Sequence, residues 1–126
     1  GVANAIMLLG EGILADELKL GEMVETVVFN HCAHHADNAG GRCFYFRTPQ
    51  KHEVDIVMRT ERDDLVPIEA KYRNAPSRSD LRGLGTFASR FGAQWGVLVT
   101  KDTRRSAEVA GMAVDLVPCW LFLLLL

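Results

Sequence analysis

A chain of 126 residues suffices for one compact domain and strains two, and with 48% hydrophobic and 24% charged residues it reads as a globular chain able to bury a core rather than a disordered tail. The net charge of −2 conceals a segregation: residues 1–70 hold six Lys/Arg against twelve Asp/Glu, and residues 71–105 hold eight against two. A basic second half beside an acidic first half is compatible with an anionic polymer lying near a metal site, and three cysteines without close pair spacing argue against a disulfide framework.

In chain order, Ala3–Leu9 is apolar and helix-prone and is interrupted by Gly10 and Gly12. From Glu22 to about His35 the apolar positions Met23, Val24, Val27, Val28 and Cys32 recur at helical spacing, with Gly21 just outside the start. Asp37 to Gly41 is turn chemistry. Arg42–Arg47 reads as a strand, Thr48–His52 as a turn and Glu53–Arg59 as a second strand; Leu65–Lys71 is a third after a polar turn. Connections this short predict an antiparallel meander.

Ser79 is placed to cap a helix from Asp80 to about Phe91, which Gly83 and Gly85 weaken. Trp95–Thr100 is a continuous apolar run, the pattern of a strand buried on both faces. Thr103–Gly111 reads as a short helix, Ala113–Val117 as a last strand, and Pro118 suits the first turn of a closing helix. The expected fold is α/β, in the order α-β-β-β-α-β-(α)-β, as one domain over residues 1–126. The apolar run from Cys119 to Leu126 is too short to span a membrane, so a core element or docking surface is expected there. The chain opens at Gly1 with no secretory signal, and reads as a cytoplasmic fragment of something longer.

Chemistry concentrates on the meander. Side chains alternate along a strand, so Glu53, Asp55 and Val57 share one side of the second strand, and Glu69 and Lys71 one side of the third. Asp55, Glu69 and Lys71 can then converge. Hard cations such as Mg²⁺ take oxygen ligands, commonly one or two carboxylates with waters and substrate phosphate, which Asp55 and Glu69 would supply. Lys71 would orient an attacking water or offset charge on a pentavalent phosphorus. The same alternation also describes a half-exposed hairpin whose polar side merely meets water.

Glu53-Val54-Asp55-Ile56-Val57 followed by Pro67-Ile68-Glu69-Ala70-Lys71 resembles the PD-(D/E)XK nuclease signature. More closely, the chain resembles the C-terminal domain of unknown function of bacterial and archaeal AAA-type ATPases. That likeness rests on Gly1-Val2-Ala3-Asn4-Ala5, on Gly21-Glu22-Met23-Val24-Glu25 and on Val117-Pro118-Cys119-Trp120-Leu121. The resemblance implies a restriction-endonuclease-like three-layer core with a mixed sheet, similar to Holliday-junction resolvases. It also implies DNA as substrate class, Mg²⁺ or Mn²⁺ as cofactor, and Glu25 as an auxiliary helical acid. Val54 departs from the signature, standing where Pro would be. No Gly-x-x-x-x-Gly-Lys phosphate loop occurs, so the ATPase half is expected in cis, N-terminal to this fragment.

The function expected is metal-dependent phosphodiester hydrolysis on DNA, with Asp55 and Glu69 as metal ligands, Lys71 and Glu25 completing the catalytic set, and Arg73, Arg78 and Arg82 on phosphates. Arg90 belongs to the same basic run. The rivals are a non-catalytic DNA-binding or regulatory module docked on its ATPase, and a subunit-contact domain whose tail, Leu121 to Leu126, is covered by a partner, a homodimer included. His31, Cys32, His34, His35 and Cys43 invite a zinc reading, against which stands a helix end with solvated histidines. Trp95, Trp120 and Phe122 lie in apolar runs and are expected in the core.

Overall fold

A computed structural model describes residues 17–46 and 54–125. The helix expected over Ala3–Leu9, the turn at Thr48–His52, Glu53 and the last residue of the tail lie outside the described residues.

The long helix α1 runs Glu17–Asn38 and begins five residues earlier than the spacing of Met23 to Cys32 suggests. Leu20, Val24, Val28, Cys32 and Ala36 are all buried at intervals of four, so Leu20 extends the apolar stripe through Gly21, and packing outweighs the roughly 1 kcal/mol that a helical glycine costs. The backbone N–H of Gly41 donates to the carbonyl of Ala36 at 2.7 Å across Gly40, whose φ of 80° closes the helix in the left-handed region.

Six strands follow: β1 Arg42–Phe46, β2 Val54–Arg59, β3 Leu65–Ala70, β4 Trp95–Thr100, β5 Arg105–Val109 and β6 Met112–Pro118. They form one open sheet in the order β1-β2-β3-β4-β6-β5. The expected meander is present, β1 with β2 and β2 with β3 being antiparallel, whereas β4 joins β3 in parallel and β6 joins β4 in parallel. Thus β3, β4 and β6 all end at the same edge of the sheet.

Between β3 and β4 the chain makes a 3-10 turn, Arg78–Leu81, and the helix α2, Arg82–Phe91, which stops at Gly92 with φ 67°. A short helix α3, Cys119–Leu125, closes the described chain as expected, but Pro118 ends β6 instead of lying in the first turn of the helix. Two cores result. Val24, Val28 and Cys32 of α1 and Phe122 of α3 pack on Ile56, Ile68, Val97 and Val99, while Leu84, Phe87 and Ala88 of α2 pack on Val57, Leu98, Val114 and Leu116. The fold is thus a mixed α/β layered structure with β4 buried on both faces, as its unbroken apolar run suggests.

One element is corrected. Thr103–Gly111, read from the sequence as a short helix, contains the edge strand β5, paired antiparallel with β6 in the register Val109↔Met112. The two-residue link Ala110-Gly111 has φ of 49° and 78°, both positive as in the tight turns whose twist suits a hairpin. Ala107 and Val109 face inward between exposed Ser106 and Glu108, so a period of two prevails over the helical reading. On the neighbouring helix a Cβ at Gly85 would meet Val109 Cγ2 at 2.8 Å; that glycine lets α2 approach β5 closely.

Candidate metal and phosphodiester site

The site lies on the α2 side of the sheet, at the edge where β3 ends. Val66, Ile68 and Ala70 turn toward the α1 core, leaving Glu69 on the opposite face; Ile56 likewise faces α1, so Asp55 shares the face of Glu69. Ile56 pairs with Ile68 at the end of the antiparallel register, and Asp55 and Glu69 are the next residues along the two strands.

The carboxylate of Asp55 reaches across the strands, Oδ2 accepting the backbone N–H of Ala70 at 2.7 Å. This bond ties its orientation to the strand that carries Glu69. Glu69 is buried, with Oε1 3.6 Å from Lys71 Nζ and with Oε2 both inaccessible and without a hydrogen-bond partner. Burial first, and then the charge of Asp55, push the Glu69 carboxyl up to about 8, with a further upward contribution from Asp80; the Lys71 ammonium pulls the other way. Lys71 follows β3 directly and is partly exposed, its backbone N–H donating to Val99 at 2.8 Å. Asp55, Glu69 and Lys71 are therefore brought together as the alternation implies.

Asp80 is a neighbour the sequence reading missed. It is buried, accepts the Ser77 backbone N–H on Oδ2 at 2.9 Å, and has Oδ1 3.6 Å from Arg73 Nη1. The signal was present in Ser77-Arg78-Ser79-Asp80, the spacing of Ser and acid that ties the start of a helix. The cap is accordingly made at Ser77, two residues before the expected Ser79, and the first turn is 3-10.

Among the other candidates, Arg73 and Arg78 are exposed on the loop and turn that leave β3, and Arg82 is exposed at the start of α2. Arg90 lies at the far end of α2, its guanidinium 5.3 Å from the Phe91 ring centre. Glu25 is half-buried on α1, the helix against the other face of the sheet. Among the described residues no three His, Cys, Asp or Glu side chains are grouped to hold a metal ion, which applies to Glu25 with the Asp55–Glu69 pair and also to the histidine and cysteine cluster of α1. In that cluster the neighbouring Cys43 thiol, and then burial, raise Cys32, whereas Cys32 lowers Cys43 against the opposing effect of burial. Burial, ahead of the neighbouring His35 and His34, lowers His31. Phe122 is buried as expected, but Trp95 and Trp120 are about half exposed, Trp95 donating from Nε1 to Asp115 at 2.8 Å.

No described helix is long and apolar enough to cross a membrane. No curated protein matches the chain. A solved structure described as a refined half-complex from a tetradecameric assembly of Thermococcus gammatolerans McrB AAA+ hexamers with bound McrC contains a chain similar to this one. The likeness has a TM-score of 0.62 at 17% identity and covers 79% of this chain; it spans 28% of that chain's length. At that identity the shared property is the fold. Residues 20–122 match the family model described as Domain of unknown function (DUF4143), and the chain belongs to that family.

Proposed function

We propose that this domain is a restriction-endonuclease-like, metal-dependent phosphodiesterase acting on DNA, with Asp55 and Glu69 as the metal ligands. The observation that carries the reading is the buried Oε2 of Glu69, which no hydrogen-bond donor meets, because a carboxylate oxygen withdrawn from water is costly unless a proton or a cation meets it. Two carboxylates on adjacent strands fit a hard divalent cation, which uses few protein ligands and fills its remaining positions with water and phosphate oxygens. Mg²⁺ or Mn²⁺ there would supply Lewis acidity toward a phosphodiester. The order of a helix, three meander strands, a helix and a parallel strand supports the nuclease-like core.

The chain's own residues have separable tasks. The Ala70 N–H fixes Oδ2 of Asp55 and so sets the orientation of its carboxylate relative to Glu69. Lys71, beside Glu69, places a donor where charge develops on phosphorus or where an attacking water must be oriented. Arg73, Arg78 and Arg82 hold the flanking phosphates.

A second reading, a docking module of an AAA-type ATPase, draws on the exposed Trp120, Leu124 and Leu125 of α3 and on the fold shared with a chain of the McrB–McrC assembly. In both readings the ATPase portion is expected in cis.

If Asp55 and Glu69 form one site, Mn²⁺ at a hundred times its Kd stabilises the folded state by about 2.7 kcal/mol and raises the thermal midpoint, and Asp55→Asn abolishes the rise. Equal shifts in both proteins, read by calorimetry, place the metal elsewhere.

A further inference from the structure

Basic residues also lie on a second loop, distant in sequence from the site. The segment leaving β4, Lys101 to Arg104, and the start of β5 pack on the loop leaving β3. The Lys101 N–H donates to the Arg73 carbonyl at 3.3 Å, the Ala75 N–H to Thr103 Oγ1 at 3.3 Å, and Arg105 Nη2 to the Pro76 carbonyl at 3.5 Å. Within the second loop Thr100 Oγ1 donates to the Thr103 carbonyl at 2.7 Å and receives the Thr103 N–H at 3.0 Å, so its backbone is pinned to the end of β4. Ala75 is held at φ 49°, a conformation a non-glycine residue adopts at a cost, and the bond from its N–H to Thr103 helps to maintain it.

This arrangement brings Lys71, Arg73 and Arg78 of the first loop beside Lys101, Arg104 and Arg105 of the second. Of these, Arg73 faces Asp80 and Lys71 faces Glu69, whereas among the described residues Arg78, Lys101, Arg104 and Arg105 have no ion-pair partner. The Lys101 ammonium instead lies 5.9 Å from the Tyr72 ring centre. Asp102, the one carboxylate of the second loop, makes no ion pair with these cations, so positive charge stays in excess there, and a polyanion that spans both loops offsets it.

We propose that these two loops form one phosphate-gripping rim, in which Lys101, Arg104 and Arg105 contact the backbone of a DNA duplex whose neighbouring phosphodiester lies at the Asp55–Glu69 pair. The inference rests on the DNA reading of the site but not on catalysis. It extends the DNA footprint across the β3–β4 edge, adding three residues that sequence proximity to Lys71 did not suggest.

The test is binding of a fluorescein-labelled duplex by the full chain in EDTA over a salt series, followed by anisotropy. Lys101→Gln with Arg104→Gln should reduce the magnitude of the slope of log K against log salt by about two units, the counterion release of two contacts. Arg62→Ala, in the turn at the opposite end of β3, should leave it unchanged. Thermal midpoints within a degree of wild type confirm that each variant is folded, and Arg104→Gln alone, at the more exposed position, should reduce the slope by about one unit. A wild-type slope retained by the double variant overturns the proposal, even where Arg73→Ala with Arg78→Ala lowers it and the wild type cleaves DNA. Binding to an acidic peptide or to anionic phosphatidylserine vesicles with no salt-dependent DNA binding overturns it as well. Salt-dependent binding through both loops with no cleavage under any metal supports the rim and removes the catalytic reading alone.

Discussion

Lys71→Ala is expected to reduce metal-dependent DNA cleavage by roughly a hundredfold or more, the scale of losing one well-placed donor, while Mn²⁺ and DNA binding stay nearly intact. An ammonium has no lone pair, so Lys71 is not a third metal ligand beside Asp55 and Glu69. Its 3.6 Å approach to Glu69 Oε1 sets it at the rim of the carboxylate pair, where a growing charge on phosphorus would meet it. An interaction made mainly in the transition state lowers the rate and not the affinity. Cleavage rates at matched folded concentrations, with Mn²⁺ affinity from calorimetry, separate this role from that of a solvated strand-end lysine, whose removal would change neither.

The second large effect concerns pH. Glu69 has an ordinary carboxyl value of 4.5 when unfolded and is pushed up to about 8 in the fold, chiefly by burial. Between those values the folded chain binds the proton that the unfolded chain has lost, so stability is fully present below about 4.5 and falls as pH rises toward about 8. The slope of this contribution approaches 1.4 kcal/mol per pH unit, with a total on the order of a few kcal/mol. Glu69→Gln, neutral at every pH and nearly isosteric, should remove that slope and be more stable than wild type at pH 7.5 in EDTA. Saturating Mn²⁺ should reverse the ranking, since only the ionised wild-type side chain gains a cation. Denaturant titrations of both proteins from pH 5 to 8.5 give the comparison; parallel stability profiles would mean that Glu69 ionises as freely in the fold as out of it.

How the site could be read from sequence depended on local rules. The alternation in Asp55-Ile56-Val57 and in Ile68-Glu69-Ala70-Lys71 puts charge on one side and apolar residues on the other, and short turns make the strands neighbours, so convergence of the three residues follows without tertiary information. The apolar run Trp95–Thr100 similarly located the central strand with its bounds. What escaped depended on partners distant in the chain or on unusual backbone. The β5–β6 hairpin turns on Ala110 at positive φ, where Asn or Gly would have announced it. The earlier start of α1 depends on Leu20 finding the sheet. Asp80 was overlooked because a capping acid reads as local, although it is buried and bears on Glu69 through the fold. The pairing of the Lys101–Arg105 loop with the Asn74–Ser77 loop arises from the parallel β3–β4 crossover, and no spacing in the sequence records it.

Strand cleavage decides whether Asp55 and Glu69 make a catalytic metal site. Branched, nicked and linear DNA are incubated with the wild type and with Asp55→Asn, with Mn²⁺ and with EDTA, in the isolated chain and joined to the ATPase portion proposed in cis. Wild-type cleavage of at least one substrate in Mn²⁺ is expected, with none in EDTA and none by Asp55→Asn. Equal cleavage by the two proteins, or no wild-type cleavage of any substrate in either form, would contradict that assignment.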